Sequence, residues 1–224
     1  MKRLENKALF DDFSRTIAKP LFEQYKYPWE ILAHIEEFIL ETGPALSEEG
    51  YEKRGDNVWI AKSAKVAPTA SINGPCIICP DAEIRHCAFI RGNAIVGAGA
   101  TVGNSTELKN VILFAKVQVP HYNYVGDSIL GFKSHMGAGS ITSNVKSDKK
   151  LVKIHLPESD VETGRKKVGA LIGDNVEVGC GSILNPGSVI GKNTNIYPLS
   201  SVRGYVAEGS VYKNHNEIVP KYDD

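Results

Sequence analysis

His121 lies in the stretch PHYNYVGDS (120–128), which interrupts a sequence that otherwise repeats every six residues. Imidazole has an ordinary pKa near neutrality, so a neutral histidine can take a proton from an attacking nucleophile. A histidine considered alone is more often a solvated or hydrogen-bonded surface residue than a base. Pro120 and the broken repeat set this segment apart from the regular coil, and this favours the catalytic interpretation.

Basic residues gather shortly after this stretch. The group comprises Lys146, Lys149, Lys150, Lys153, Arg165, Lys166 and Lys167. Fixed cations are what a phosphate ester requires, with arginine giving a bidentate fork and lysine a point charge. The same composition is also typical of a solvated loop. On composition alone, both interpretations stay open for this group.

A six-residue repeat predicts the elements that position these residues. Branched aliphatic residues recur at every sixth position from Ile60 to Leu108, and again from Ile172 to Val202. A small residue stands two positions before most of them. This period fits neither a 3.6-residue helix nor a simple alternating strand. It predicts a mainly β protein, a parallel β-helix in which each hexapeptide forms one flat side of a coil.

The pattern also predicts how the chain is divided. We expect a helical N-terminal segment over 1–55, the β-helix over 56–206 and a C-terminal tail over 207–224. Two amphipathic segments precede the coil. One runs from about Leu4 to Ala18, and the other opens at Pro28 and ends at Gly43.

Four motifs occur in a fixed order through the irregular middle of the sequence. They are GNSTELKN (103–110), PHYNYVGDSILG (120–131), GAGSITSNVKSDKKLVK (137–153) and TGRKKVGALIGD (163–174). Together they resemble the acetyltransferase half of the bifunctional glucosamine-1-phosphate acetyltransferase and N-acetylglucosamine-1-phosphate uridyltransferase, and its archaeal sugar-phosphate relatives most of all. The resemblance covers roughly residues 85–204.

This resemblance carries implications for fold and activity. It implies a left-handed β-helix of the hexapeptide-repeat acyltransferases and a homotrimer with sites between subunits. The implied reaction is acetyl-CoA-dependent N-acetylation of an amino-sugar 1-phosphate of the glucosamine or galactosamine class, with acetyl-CoA as co-substrate and without a metal. Such a product would feed nucleotide-sugar synthesis of the UDP-N-acetylglucosamine kind.

The resemblance also implies roles for particular residues. His121 matches the general base, and Glu107 matches a carboxylate beside the reacting amine. Asn144 matches a substrate-binding asparagine, and an asparagine side chain could donate a hydrogen bond to the tetrahedral intermediate. The residues that match sugar-phosphate ligands are Arg91, Lys109, Tyr124, His135, Lys150 and Lys153. The residues that match the acetyl-CoA groove are Ala138, Cys180 and Pro198.

The sequence departs from the bacterial pattern at several points. His135 stands where the bacterial enzyme has an asparagine that touches the sugar, so the identity of the amino sugar stays open. Cys180 replaces a serine. The segment 151–168 is of the archaeal kind. Because nothing resembles the Gly-rich nucleotide loop, we expect no pyrophosphorylase activity, and the product would pass to a separate nucleotidyltransferase.

Two other functions stay open. A metalloenzyme on the same coil, of the γ-carbonic-anhydrase kind, would need three converging histidines. Such a site typically has a close pair of histidines, and no two of His34, His86, His121, His135, His155 and His215 lie five apart. The Cys76–Cys79 pair has zinc spacing, but no second CxxC follows. The other alternative is a non-catalytic trimeric partner of a nucleotidyltransferase.

The composition argues against nucleic-acid-binding and membrane proteins. The chain has 26 basic and 26 acidic residues, so no global field favours nucleic acid or an anionic membrane. The first residues lack a continuous apolar core, and no segment has the roughly 18 apolar residues that a membrane span needs. We therefore expect a cytoplasmic protein.

Overall fold

The computed structural model describes residues 1–213 and 218–220, and it shows a parallel β-solenoid behind a short helical segment. The predicted mainly β class is therefore confirmed. Within the described residues, no helix has the length and apolar character needed to cross a membrane.

The strands stack on three sides of the solenoid. Side 1 comprises β2 (Val58–Ala61), β5 (Cys76–Ile78), β8 (Ala94–Val96), the ends of β10 (Glu107–Leu113) and β12 (Tyr124–Leu130), β17 (Ala170–Ile172), β20 (Ser188–Ile190) and β23 (Tyr205–Val206). Side 2 comprises β3 (Lys65–Val66), β6 (Glu83–Ile84), β9 (Thr101–Asn104), β11 (Gln118–His121), β13 (His135–Met136), β18 (Glu177–Val178), β21 (Asn195–Ile196) and β24 (Ser210–Tyr212). Side 3 comprises β4 (Ser71–Ile72), β7 (Phe89–Ile90), the starts of β10 and β12, β14 (Ile141–Thr142), β19 (Ile183–Leu184) and β22 (Ser201–Val202).

Four further strands lie outside these ladders. β1 (Tyr51–Lys53) pairs antiparallel with β2, and β15 (Lys153–His155) forms a hairpin with β16 (Asp160–Glu162). β25 (Ile218–Pro220) pairs antiparallel with β24. The parallel pairing on side 2 thus reaches Tyr212, beyond residue 206 where we predicted the coil to end. Residues 214–217 and 221–224 of the predicted tail lie outside the described residues.

The aliphatic repeat fills the interior, as the six-residue period predicts. Ile78, Ile90, Val102 and Leu184 are all fully buried. Asparagine and aspartate occupy many of the corners, where the backbone takes the left-handed conformation that these residues tolerate best after glycine. Such corner residues, with φ from 47° to 59°, are Asn57, Asp81, Asn93, Asn110, Asp127, Asn175 and Asn193.

The register explains why the repeat fades in the middle of the sequence. Paired residues are 18 apart in regular coils, as in Val58 opposite Cys76. Around the irregular stretch the spacing falls to 17, as in Glu107 opposite Tyr124. Then Ile141 pairs with Ile183, 42 residues later, so one coil carries an insertion of 24 residues (42 minus 18). The hairpin of β15 and β16 lies within this insertion.

The helical segment is more broken than its amphipathic pattern predicts. Its helices are α1 (Asn6–Leu9), α2 (Lys19–Gln24), α3 (Pro28–Ile31) and α4 (Ile35–Thr42), with 3-10 turns at Lys2–Leu4, Phe13–Arg15 and Gly43–Ala45. The predicted segment from Leu4 to Ala18 is divided because the Asp12 carboxylate accepts from the Ser14 N–H and closes a turn. Pro20 lies in the first turn of α2, where its missing N–H costs nothing.

This segment packs on the solenoid through aromatic contacts. Phe10 and Phe22 of the segment lie 4.9 Å and 5.0 Å, between ring centroids, from Phe114 of the solenoid. All three side chains are buried. Burial of this aromatic area fixes the segment on the coil.

A buried carboxylate at a corner also holds the segment. Asp174 is 1% exposed, and it accepts from the Phe132 N–H at 2.7 Å and from the Asp11 N–H at 2.9 Å. Burial raises the pKa of Asp174, although both backbone N–H groups act in the opposite direction.

Because of this raised pKa, Asp174 makes the free energy of unfolding depend on pH. The unfolded carboxyl titrates at roughly 3.9. Because the native pKa is higher, the contribution of Asp174 to the free energy of unfolding is complete below the unfolded pKa. It is lost as pH rises through the native pKa. We expect the free energy of unfolding of the wild type, relative to Asp174→Asn, to fall as pH is raised from about 4. Urea unfolding of both proteins across pH measures this, and a difference that is constant or grows with pH contradicts it.

Candidate functional site

The corner between sides 2 and 3 presents His121 to solvent. His121 ends β11, and the following Tyr122 has a φ of 53° and is exposed. The buried Asn123 holds this corner, because its Oδ1 accepts from the His121 N–H at 3.1 Å and its Nδ2 donates to the Gly137 carbonyl at 2.8 Å. An exposed imidazole therefore lies on a fixed backbone.

The three predicted acetyl-CoA residues lie along the same corner on successive coils. The Gly139 N–H donates to the His121 carbonyl at 3.0 Å, and the Gly181 N–H donates to the Ala138 carbonyl at 2.8 Å. Leu199, the neighbour of Pro198, donates to the Cys180 carbonyl at 2.9 Å. Ala138, Cys180 and Pro198 are exposed, so they form one edge that begins at His121.

A polar cluster lies on side 3 and at the corner that follows it. It brings together five predicted residues: Arg91, Glu107, Lys109, Tyr124 and Asn144. Arg91 Nη1 donates to Glu107 Oε1 at 2.6 Å, and Glu107 pairs in register with Tyr124 on the next coil. Asn144 Nδ2 lies 3.3 Å from the Tyr124 hydroxyl. Residues from four successive coils thus converge on one surface.

The cluster is joined to the His121 corner through the backbone. The Glu107 N–H donates to the Asn123 carbonyl at 2.8 Å, and Asn123 is two residues from His121. The predicted base and the predicted carboxylate therefore flank the same corner on neighbouring coils.

Sequence reasoning missed the residue at the centre of the cluster. Asp127 is 3% exposed and accepts from Asn144 Nδ2 at 2.5 Å and from Asn110 Nδ2 at 3.0 Å. Lys109 Nζ lies 3.5 Å from its Oδ2. The one sequence signal was an acidic residue inside an otherwise uncharged strand, within the motif that contains His121.

Arg165 also approaches the cluster; the sequence leaves both a phosphate contact and a solvated loop open for it. Its Nε is buried and has no hydrogen-bond partner among the described residues. Burial lowers the pKa of Arg165, and the Asp127 carboxylate acts in the opposite direction. The inserted loop therefore brings a further cation toward the buried acid.

The electrostatics of the cluster keep its phenol neutral. Burial raises the pKa of Tyr124; the Asn144 amide lowers it, and the nearby Asp127 and Glu107 carboxylates raise it. The hydroxyl can therefore accept from one partner and donate to another at neutral pH.

Three predicted substrate ligands lie outside the cluster. His135 is on side 2, where its Nδ1 lies 2.8 Å from Glu177 Oε2. Lys153 pairs with Glu162 across the hairpin at 3.1 Å. Lys150 is on an exposed turn, where its N–H donates to Asp148 at 3.0 Å. Their roles toward a substrate stay predictions.

The metal alternatives find no ligand set in residues 1–213 and 218–220, where no group of three or more His, Cys, Asp or Glu side chains could hold an ion. His215 lies outside the described residues. Cys76 and Cys79 are buried, and burial raises the pKa of the Cys79 thiol to about 11. A thiol that stays protonated is a poor metal ligand.

The three-sided parallel coil and its repeat define a hexapeptide β-helix protein. Residues 72–155 match the family described as GMPPB C-terminal domain. The chain is 35% identical over 198 residues to "Bifunctional protein GlmU" of Methanococcus vannielii, a match that covers 87% of this chain and 47% of that protein. It is 30% identical over 177 residues to "Bifunctional sugar-1-phosphate nucleotidylyltransferase/acetyltransferase" of Sulfurisphaera tokodaii, covering 70% of this chain and 44% of that protein.

These matches confirm the resemblance that the motifs predicted: the chain is a homologue of archaeal bifunctional proteins of the GlmU type. It spans about half the length of the curated relatives it matches. Among solved structures, "Acetyltransferase domain of PglB from Neisseria gonorrhoeae FA1090 in complex with acetyl coenzyme A" aligns over 69% of this chain and 53% of that chain, at 15% identity and a TM-score of 0.32. That likeness is too loose to carry an argument.

Proposed function

We propose that this chain is an N-acetyltransferase that moves the acetyl group of acetyl-CoA to an amino-sugar 1-phosphate of the glucosamine or galactosamine class. The observation that carries the proposal is the joined arrangement of the His121 corner and the polar cluster. The names of the archaeal relatives support the same chemistry.

The arrangement suits attack of an amine on a thioester. An amino sugar is largely an ammonium ion near neutral pH, and only its neutral form is nucleophilic. His121 takes the proton as nitrogen attacks the acetyl carbon, and the Glu107 carboxylate accepts from a remaining N–H and orients the lone pair. The carbon–sulfur bond then breaks, and the imidazolium returns the proton to the departing CoA thiolate.

The cations of the cluster suit the phosphate. Arg91 and Lys109 lie on neighbouring coils, and both side chains keep solvent exposure, at 44% and 29%. The bond from Arg91 to Glu107 engages one of five guanidinium donors, so donors remain for a phosphate oxygen. Acetyl-CoA lies along the edge of Ala138, Cys180 and Pro198 in this proposal, with its thioester toward His121.

The proposed assembly is a homotrimer, in which a neighbouring subunit covers the His121 corner. It works in the cytoplasm, and a separate nucleotidyltransferase consumes the product. These points rest on the family resemblance. The exposure of His121 on a single chain supports the covering subunit alone, because acyl transfer needs a site from which water is excluded.

A turnover assay tests the proposal. Purified protein is given acetyl-CoA and glucosamine 1-phosphate, galactosamine 1-phosphate or the matching free amino sugars, and released thiol is measured. We expect release with a phosphorylated sugar and an N-acetylated product by mass spectrometry. Thiol release with none of them contradicts the proposal and favours the non-catalytic partner subunit.

A further inference from the structure

Asp127 is a buried acid that the proposed reaction does not itself use. It is at a corner with a φ of 47°, directly before the fully buried Ser128, and the Gly169 N–H donates to its carbonyl at 2.8 Å. A carboxylate in such a place is stable only when its oxygens are paired. Its pairing therefore constrains every polar side chain that it touches.

The Asp127 carboxylate decides which end of the Asn144 amide faces it. An ionised carboxylate only accepts hydrogen bonds, so the atom 2.5 Å from Oδ2 must be the Asn144 nitrogen. The reverse orientation would bring two acceptor oxygens together. The second N–H of Asn144 is directed at the Tyr124 hydroxyl, 3.3 Å away. Both donors are therefore engaged, and Oδ1 is the atom left to meet a ligand.

Asn110 fixes the other Asp127 oxygen. Its Nδ2 donates to Asp127 Oδ1 at 3.0 Å and to the Leu32 carbonyl at 3.1 Å. Leu32 lies between α3 and α4, and Asn110 is 7% exposed. The helical segment thus holds Asn110, Asn110 holds Asp127, and Asp127 holds Asn144.

We propose that Asp127 is a positioning residue that makes Asn144 an acceptor toward the substrate. This rests on the proposed function. It reverses the expectation that the Asn144 side chain donates to the tetrahedral intermediate. With Glu107 on the same surface, the substrate nitrogen meets two acceptors, which is the surface that an N–H-bearing nucleophile requires.

Exchanging the two side chains tests this assignment. Asn144→Asp alone puts two carboxylates in contact, and Asp127→Asn alone removes the group that orients the amide. The double variant restores one amide facing one carboxylate and keeps an acceptor at position 144. We expect each single variant to lose roughly 10- to 100-fold in kcat/KM, and the double variant to recover most of that loss. Each single variant should also melt at a lower temperature than the wild type, and the double variant should recover most of that difference.

The matched control is Asn175→Asp, which makes the same chemical change at an exposed left-handed corner with a φ of 56°. It should leave kcat/KM unchanged, and added to Asp127→Asn it should neither deepen nor recover the loss of that variant. If the losses at 127 and 144 also multiply, or if Asn144→Asp retains wild-type kcat/KM, the assignment is overturned. If Asn144→Asp does not fold, a folded double variant supports the assignment and an unfolded one overturns it.

The melting temperatures separate this proposal from the proposed function. A double variant that regains thermal stability, in a protein whose wild type acetylates none of the sugars, establishes the pairing and refutes the acetyltransferase. A wild type that acetylates a sugar phosphate, with losses in kcat/KM at 127 and 144 that simply multiply, supports the acetyltransferase and overturns the positioning role of Asp127.

Discussion

Replacing His121 by alanine or asparagine is expected to lower kcat by roughly 10²–10⁴-fold while the melting temperature stays unchanged. The loss follows because no other group at this corner takes the proton from the attacking amine in the proposed reaction. The stability of the fold should not change, since the imidazole is exposed and the corner is held by backbone hydrogen bonds and by Asn123. Steady-state kinetics with the preferred sugar phosphate, beside thermal melting, measures both.

His155→Ala is the matched control for this experiment. His155 also ends a strand, its side chain is 42% exposed, and its Nδ1 lies 2.7 Å from Asp160 on the inserted hairpin. Its replacement should leave kcat within about twofold of the wild type. A His121→Ala protein with near-wild-type kcat would remove the general base, and with it the main reason for proposing an acetyltransferase.

The fold was predictable because the hexapeptide signal is local. Each six residues carry their own aliphatic and small positions, so a few coils reveal the whole architecture. The signal fails between 108 and 172 because two coils are one residue short and another carries 24 extra residues. The helical segment was less predictable, since a turn closed by Asp12 divides an apolar pattern that suits one helix.

The candidate site was predictable from motifs only in part. Residues about one coil apart in sequence, such as Arg91 and Glu107, meet because the coil returns after 18 residues or nearly so. Asp127 was missed because its importance depends on residues from four places, including Leu32 in the helical segment. Its one sequence signal, an acid in an otherwise uncharged strand, does not reveal these partners, and only the hydrogen bonds around it do.

Lys109→Met is expected to raise the KM for the sugar phosphate roughly 10- to 150-fold, a loss of ~1.5–3 kcal/mol, with little change in the KM for acetyl-CoA. Methionine keeps an unbranched stem and removes the charge that we propose holds the phosphate. The fold should persist, because Asp127 retains its bonds from Asn110 and Asn144.

The selectivity of this effect for one substrate identifies the ligand of Lys109. Lys133→Met is the control and should change neither KM. Lys133 lies at an exposed left-handed corner, and its ammonium is 5.3 Å from the centroid of the Phe132 ring. A Lys109→Met protein should also lose its preference for the phosphorylated over the free amino sugar, since the lost interaction is with the phosphate. If both KM values rise together, or if the wild type uses the free sugar equally well, Lys109 does not bind the phosphate. Its pairing with Asp127 would then place it with Asn110 and Asn144, as part of the support for the buried acid.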